Sequence, residues 1–293
     1  MLKCYTPRNA SHPYTHFFTP SQIQDPEPFA TFEVSTTDEE RVLDGGERVL
    51  DVLASWQHSF DEDKAKNKKG GREVETFRYM FKVRLFLEPD PADTPSVDLF
   101  YMQAVHDVVD SRYPCAEADA ITLAALRLQE KHGDCGAGGQ SFLEGKLDMY
   151  MPAKFCGGNT AARVDNISKV WARLTGKYTA KEAKKNYLEF IKQWRLYGSS
   201  YFIVEPQNSP DLPKKVVVAI NAKGILVVDA TAKEKELIAE YPYSEVVTWG
   251  QSSKSFVLVT GNLIRQQKIY FKSEQGKEMN NLVHEYVNKI IHN

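Results

Sequence analysis

The sequence predicts an α+β protein made of several lobes. Strand-like alternation dominates the first part of the chain, helical periodicity the middle, and strand-like runs return before one closing amphipathic helix. With 293 residues, the chain has room for two or three domains that each bury a core. We expect an extended or disordered leader and three lobes, with boundaries at 1–28, 29–88, 89–197 and 198–293.

The first lobe reads as strand, turn, helix, loop and strand. FATFEV at 29–34 alternates as a strand does, and VLDVLASW at 49–56 has apolar residues at helical spacing. The charged, glycine-ended run DEDKAKNKKGGR at 61–72 predicts a solvated loop. The run from Phe77 to Leu87 alternates strictly, so we expect its aromatic face to be buried and its Arg/Lys face to be wet.

The middle lobe reads as a helical bundle. PDPADTPS at 89–96 marks its boundary, with Ser96 as a candidate N-cap, and the glycines at 133–139 and 157–158 read as flexible connections. Four helices are predicted from apolar residues at offsets of three and four: Val97, Tyr101, Val105 and Val108; Ala120, Leu123 and Leu128; Ile167, Trp171 and Leu174; Ala183, Tyr187, Ile191 and Trp194.

The last lobe combines seven short strands with a terminal helix. Turns are predicted at Asn221–Gly224 and at Gly261–Asn262. One helix face, which we expect to be buried throughout, carries Met279, Leu282, Val283, Tyr286, Val287, Ile290 and Ile291. A sheet capped by one C-terminal helix is the architecture of phosphotyrosine-binding (PTB) and pleckstrin-like modules, which bind peptides or headgroups, so we predict recognition and not catalysis.

Net charge, cysteine spacing and hydropathy narrow the classes of partner and compartment that the chain can have. The 37 basic and 39 acidic residues leave a net charge of −2, which gives no overall field for nucleic acid. The four cysteines follow no CxxC spacing and are expected to be free thiols in a reducing compartment. Because no 18-residue apolar run or signal-peptide pattern occurs, we expect a soluble cytoplasmic protein.

Catalytic and cofactor chemistry has no residues to support it. Gly133 and Gly138 have the spacing of a phosphate loop, but Gly139 and Gln140 stand where Lys and Ser/Thr are needed. His12 and His16 flank Pro13 and have no accompanying ligands, so no metal is predicted. No nucleophile elbow, HExxH or paired-carboxylate pattern occurs. We predict no catalytic residue and no cofactor, and keep a small-molecule enzyme as a distant alternative.

Three segments resemble the lobe junctions of the FERM domain. They are FKVRLFLEP at 81–89, DLFYMQAVHDVVDSRYP at 98–114 and EAKKNYLEFIKQWRLYGSSYFIVE at 182–205. The resemblance covers about residues 29–293. It implies a partial ubiquitin-like β-grasp lobe, a four-helix bundle like acyl-CoA-binding protein, and a PH/PTB-like sandwich with its C-terminal helix, arranged as a cloverleaf.

Within that family the chain resembles the tails of class VII-like myosins. VLDVLASW at 49–56 and the stretch 259–287 carry this likeness, whereas VVTWGQSSKSFVL at 246–258 resembles talin. The resemblance implies a non-enzymatic cargo adaptor that links actin-based machinery to the plasma membrane, with a talin-like adhesion protein as the alternative. The family's first lobe opens with a hairpin and a helix before the FATFEV-like strand; residues 1–28 lack them, so an incomplete or divergent lobe is expected.

By resemblance, a guest peptide adds to the strand that borders the terminal helix. The site residues are then Val246, Val247, Thr248, Trp249, Gly250 and Gln251. Trp249 is either an aromatic anchor for the peptide or an ordinary core residue. Period two places Trp249 on the side of Val247, opposite Val246 and Thr248. The expected partners are cytoplasmic tails of membrane or adhesion proteins and adaptor peptides.

A basic segment near residue 68 suggests a second binding site. Five cations fall within nine residues, namely Lys64, Lys66, Lys68, Lys69 and Arg72. They predict attachment to acidic phospholipids at the cell cortex, while the alternative is a solvated loop balanced by neighbouring acids. The alternative role for basic patches is to contact the motor domain and hold it inactive, while Lys181, Lys184 and Lys185 read as an ordinary solvent face.

Overall fold

The computed structural model describes residues 23–36, 40–66, 76–136, 138–207, 209, 211–232, 235–262 and 264–292. By its internal contacts the chain divides into two compact units, residues 1–99 and residues 100–293. Each unit is described separately below.

The first unit holds a three-stranded antiparallel sheet and one helix. The strands are β1 (Phe29–Ser35), β2 (Glu40–Val42) and β3 (Phe77–Val83), in the order β2-β1-β3, and the helix is α1 (Val49–Lys66). Trp56 of α1 packs on the sheet, with its ring centre 4.4 Å from that of Tyr79, and its indole N–H donates to Glu33. β1 and β2 form a hairpin and α1 follows it. Residues 1–22 lie outside the described ranges, so the expectation of an incomplete or divergent first lobe stays a prediction.

Two further expectations for this unit were wrong. The charged residues 61–66 continue α1 instead of forming a loop, because alternating charges suit an exposed helix as well as a solvated loop. The Arg/Lys face of β3 is not wet: the Lys82 side chain is only 9% exposed and donates to Glu40 at 2.7 Å. Phe32 and Val34 lie buried on the same face of β1, which explains why Lys82 is covered.

Asp93 caps the helix that spans the division between the units. This helix, α2 (Thr94–Val109), begins one residue after Asp93, whose carboxylate accepts hydrogen bonds from the Ser96 hydroxyl at 2.7 Å and from the Gln24 backbone N–H at 3.0 Å. Burial tends to raise the pKa of Asp93, but these hydrogen bonds outweigh it and the pKa is lowered. Ser96 is thus the third residue of the helix and not its N-cap, while residues 1–22 of the predicted leader lie outside the described ranges.

The helical part of the second unit is centred on Trp171. Its helices after α2 are α3 (Glu117–His132), α4 (Thr160–Leu174) and α5 (Ala180–Ile191). Trp171 is fully buried and donates to the Gly133 carbonyl at 2.9 Å. A Cβ on Gly139 would lie 3.0 Å from the Trp171 ring, so this glycine permits close packing and is not simply a flexible link.

The remainder of the unit is a seven-stranded antiparallel sandwich closed by a helix. The strands are β4 (Ser200–Gln207), β5 (Val216–Asn221), β6 (Gly224–Asp229), β7 (Leu237–Pro242), β8 (Val246–Ser252), β9 (Ser255–Gly261) and β10 (Gln266–Lys272). Their order is β7-β6-β5-β4-β10-β9-β8, so β7 and β8 are the edges of the described sheet. Helix α6 (Gly276–His292) follows.

Four of the seven apolar residues that were predicted for the buried face of α6 lie in the core. Four side chains are buried to 1% exposure or less: Met279, Leu282, Val283 and Tyr286. Ile290 and Ile291 are 53% and 69% exposed, so the prediction that they are buried was wrong. The helix continues for six residues beyond Tyr286, whose ring lies 6.3 Å from that of Tyr243 in the turn before β8.

Asn221 ties the sandwich to the helices within this unit. Its side chain, which is fully buried, donates to the Arg195 carbonyl at 2.8 Å and to the Ser199 hydroxyl at 2.9 Å. Two tyrosines add to this junction, since Tyr201 donates to the Arg112 carbonyl and the Tyr113 hydroxyl accepts from the Gly198 N–H at 3.1 Å. Burial raises the pKa of both tyrosines, so their hydroxyls stay protonated.

We expect Leu282→Ala to lower the free energy of unfolding by about 3 kcal/mol, because it removes a fully buried side chain and leaves a cavity between α6 and the sandwich. Urea unfolding of the whole chain measures this. Ile290→Ala on the same helix is the matched control and should change stability by less than about 0.5 kcal/mol. Equal effects of the two substitutions would contradict the assigned core face.

Candidate functional site

An unpaired strand edge lies beside α6. Among the described strands β8 pairs with β9 alone, and α6 packs against β8, β9 and β5. The helix begins at the β8–β9 turn, since a Cβ on Gly276 would lie 2.7 Å from the Ser255 carbonyl oxygen. It then runs antiparallel to β8, with His284 beside Trp249 and Tyr286 beside Tyr243. We call the space between β8 and α6 the edge groove.

A β-bulge changes which side chains of β8 face the helix. Val246 is opposite Thr260 and Thr248 is opposite Val259, so Val247 is the extra residue. Trp249 pairs with Leu258, and both Leu258 and Thr260 are buried. Residues paired across an antiparallel ladder share a face. Val246 and Trp249 therefore share the inner face, and the predicted grouping of Trp249 with Val247 was wrong.

The β8–β9 hairpin determines which backbone groups of β8 point outward. Ser252 and Ser255 close a two-residue turn, so they occupy a hydrogen-bonded position of the ladder. Counting back by two, Gly250 and Thr248 also direct their backbone groups toward β9. Trp249 and Gln251 consequently direct their N–H and C=O groups away from β9 toward the edge groove. Only these two residues of the regular ladder offer outward groups, because Val247 interrupts the pairing.

Trp249 lies at the rim of the edge groove. Its side chain is half-buried, and its ring centre is 6.4 Å from that of His284, which is exposed on α6. Trp249 was predicted to be either a peptide anchor or a core residue, and its partial exposure does not fit a fully buried core residue. The indole instead offers apolar surface at the side of the unpaired edge.

The helix wall of the edge groove was not predicted. Val287 and Ile291 follow His284 at offsets of three and seven, which places all three on one side of α6. Val287 is partly buried and Ile291 is 69% exposed. The sequence did contain a signal for this second helix face, because seven apolar residues form a wider stripe than one core contact needs. The sequence analysis assigned all seven residues to the core.

The described residues include only two of the five predicted lipid-binding cations. Lys64 is exposed near the end of α1, whose last residue is Lys66. Lys68, Lys69 and Arg72 lie outside the described ranges. The lipid site therefore stays a prediction.

In the part of the chain that the structure describes, no three His, Cys, Asp or Glu side chains come together in a way that would hold a metal ion. His12 and His16 lie outside the described residues. Within the described ranges, no helix combines the length and apolarity that crossing a bilayer demands.

Two family models match adjacent parts of the chain. Residues 87–202 match the FERM central domain, and residues 202–291 match the PTB domain of the IRS-1 type. A helical bundle followed by a PTB-like sandwich with a terminal helix is thus supported by both sequence and structure. Residues 87–202 thus match the central part of a FERM domain, a domain family that is generally a non-enzymatic module for protein interaction.

Relatives come from several kinds of FERM protein. FERM domain-containing protein B of Dictyostelium discoideum is 28% identical over 212 residues, covering 69% of this chain and 44% of that protein. Myosin-VIIa of Drosophila melanogaster is 22% identical over 220 residues, covering 74% and 10%. Talin of Oscarella pearsei is 26% identical over 205 residues, covering 69% and 8%. The chain therefore spans less than half the length of each of these relatives.

Solved structures with the same fold include two myosin VII tails. The human myosin 7b C-terminal MyTH4-FERM domain, in complex with the harmonin-a PDZ3 domain, has a TM-score of 0.61 at 23% identity, covering 92% of this chain and 53% of that one. The Dictyostelium discoideum myosin VII MyTH4-FERM MF2 domain has a TM-score of 0.66 at 20% identity, covering 88% and 50%. At these identities the likeness establishes the fold.

We expect the amide hydrogens of Trp249 and Gln251 to exchange with solvent at least about tenfold faster than those of Thr248 and Gly250, because only the latter are bonded to β9. Hydrogen exchange followed by NMR measures this residue by residue. Protection of all four amides to the same degree would show that another part of the polypeptide already covers the edge.

Proposed function

We propose that the edge groove binds an extended peptide, which adds as a strand to β8. The observation that carries this proposal is the pair of outward-facing backbone positions, Trp249 and Gln251, beside a fixed helix. Unpaired strand edges recruit partner strands through their backbone groups, and apolar side chains next to them add affinity. Trp249 on the strand and Val287 and Ile291 on the helix supply such side chains.

The size of this edge limits its contribution to affinity. Two residues offer at most four backbone hydrogen bonds, each with a net worth of about 1 kcal/mol. Association costs at least about 4 kcal/mol in lost freedom, so the backbone bonds alone roughly cancel that cost. Side chains must therefore supply the rest, and Trp249 is the largest one at the groove.

In the cell, the chain acts as a non-enzymatic adaptor at the cytoplasmic face of the cell cortex. Its guests are cytoplasmic tails of membrane or adhesion proteins, or adaptor peptides, and it links them to the cytoskeleton. The relatives among myosin VII tails and talin support this role. We favour a class VII-like myosin tail over a talin-like adhesion protein, because myosin VII tails recur among both the relatives and the structural neighbours.

We expect Gln251→Pro to weaken peptide binding by at least about fivefold, because proline removes one outward N–H without removing a bond to β9. The probe is a random 12-residue peptide library on phage, panned against the whole chain, followed by affinity measurements on synthetic copies of the selected peptides. Gln251→Ala keeps the N–H and is the matched control. Peptides that bind both variants equally would refute strand addition, and a library that yields no binder would refute the peptide site.

We expect Trp249→Ala to weaken binding of those selected peptides by at least about tenfold, since an aromatic anchor at an interface typically contributes that much or more. Isothermal titration measures the dissociation constant. The circular dichroism spectrum and urea midpoint serve as controls for folding. Unchanged affinity in a folded variant would remove Trp249 from the site while leaving the β8 edge as the binding element.

A further inference from the structure

The C-terminal end of α2 carries a cluster of ionisable side chains. His106 lies in the last turn of this helix, and its side chain is only 23% exposed. Its Nδ1 atom is 3.7 Å from an Asp107 carboxylate oxygen, and its Nε2 atom is 3.3 Å from an Asp110 carboxylate oxygen. The Nε2 atom is buried and makes no hydrogen bond to any residue that the structure describes. His106 is thus a covered imidazole beside two carboxylates.

Asp107 connects this imidazole to the junction between the helical bundle and the sandwich. Its side chain is 5% exposed and accepts a hydrogen bond from the Tyr113 hydroxyl at 3.0 Å. The Tyr113 hydroxyl in turn accepts from the Gly198 N–H at 3.1 Å, just before β4 begins. A buried carboxylate destabilises a fold unless cations and donors compensate its charge. The charge on His106 therefore affects the contact that joins α2 to the start of the sandwich.

Other ionisable groups reach this end of α2 from three elements. They are Arg112 in the turn after α2, Tyr201 on β4 and Lys235 between β6 and β7. The Arg112 Nε atom lies 3.8 Å from Asp107, and the Tyr201 hydroxyl donates to the Arg112 carbonyl at 2.9 Å. Lys235 donates to the Ser111 carbonyl at 3.3 Å. Within the described ranges, Asp110 forms an ion pair with His106 and with no lysine or arginine. Loss of the His106 charge therefore leaves Asp110 without a nearby cation.

The two carboxylates favour the protonated imidazole. Burial and, to a smaller extent, the Arg112 charge lower the pKa of His106, but Asp107 and Asp110 outweigh them and the pKa is raised above its ordinary value of 6.5. A cation in the last turn of a helix is also favoured by the helix dipole. Because the folded pKa lies above the unfolded one, the protonated ring stabilises the fold fully below pH 6.5. This stabilisation is lost as the pH rises through the folded value.

We propose that His106 makes the junction between the helical bundle and the sandwich pH-sensitive. In its protonated form it balances the charge of Asp107, which holds Tyr113 against the Gly198 backbone. In its neutral form this balance is reduced, and the junction opens more often. The junction is therefore tighter in mildly acidic than in mildly alkaline solution, within the range in which histidine changes its charge. This inference is independent of the proposed function, because no residue of the edge groove takes part in it.

The amide hydrogen of Gly198 reports on the junction directly, since it is bonded to the Tyr113 hydroxyl. Hydrogen exchange followed by NMR on the whole chain gives its protection factor, which is corrected for the intrinsic effect of pH on exchange. We expect this factor to fall at least about threefold between about pH 6 and about pH 8 in the unmodified chain. His106→Gln, which keeps a polar side chain that does not titrate, should show a factor independent of pH.

His58→Gln is the matched control for removal of a histidine. His58 also lies four residues before a carboxylate, that of Glu62, at 3.5 Å, but its side chain is 75% exposed on α1. This variant should show the same pH dependence at Gly198 as the unmodified chain. A Gly198 protection factor that depends on pH equally in the unmodified chain and in His106→Gln would overturn the inference, and so would one that is constant in the unmodified chain.

Asp110→Asn keeps the test decisive if His106→Gln fails to fold. The Asp110 side chain is 42% exposed, so the exchange of a carboxylate for an amide leaves packing intact. Without this charge beside Nε2, the pKa of His106 should fall, and Gly198 should lose its protection at a lower pH. A purely structural role of the imidazole would not move that midpoint. An unchanged midpoint in Asp110→Asn would therefore overturn the inference as well.

Discussion

The packing of α6 against the sandwich is the contact on which the candidate site depends. Four fully buried side chains hold the helix, and three of them, Met279, Leu282 and Val283, lie within five residues of one another. Each buries enough apolar surface to contribute about 1.5–3 kcal/mol. This contact fixes the helix at a set distance from β8 and so creates a groove of fixed width. A helix that frayed from the sheet would leave β8 as a plain edge, open to any strand.

The junction inside the second unit gives this groove a rigid support. Asn221 is buried at the turn between β5 and β6 and bonds both to the end of the helical bundle and to the strand that follows it. Lys223 on the same turn donates to the carbonyls of Lys192 and Trp194 at 2.7 and 3.0 Å. Lys192 directly follows α5, so these bonds join the β5–β6 turn to the end of the helical bundle. The sandwich therefore does not rotate freely against the bundle, and a peptide that binds β8 is held by the whole unit.

The sequence predicted the type and order of the elements well, because long periodic runs report burial directly. The sequence-based prediction was wrong where the burial of a side chain depends on which other element packs against it. Ile290 and Ile291 continue the apolar face of α6, but the fold leaves them exposed. The bulge at Val247 has no signature in VVTWGQ, so Trp249 was placed on the wrong face. For the candidate site, the strand came from a family resemblance, whereas the helix wall followed only once the direction of α6 against β8 was known.

The bulge has a further physical consequence for selectivity. An open edge that paired along its whole length would accept many extended chains, including other copies of the same strand, and would favour aggregation. At Val247 the ladder is interrupted, which leaves two regular positions and makes the backbone contribution too small to bind any chain by itself. Affinity then depends on side chains that meet Trp249 and the helix wall. In the proposed function, the bulge both limits unwanted strand pairing and makes the groove selective, and both effects follow from one extra residue in β8.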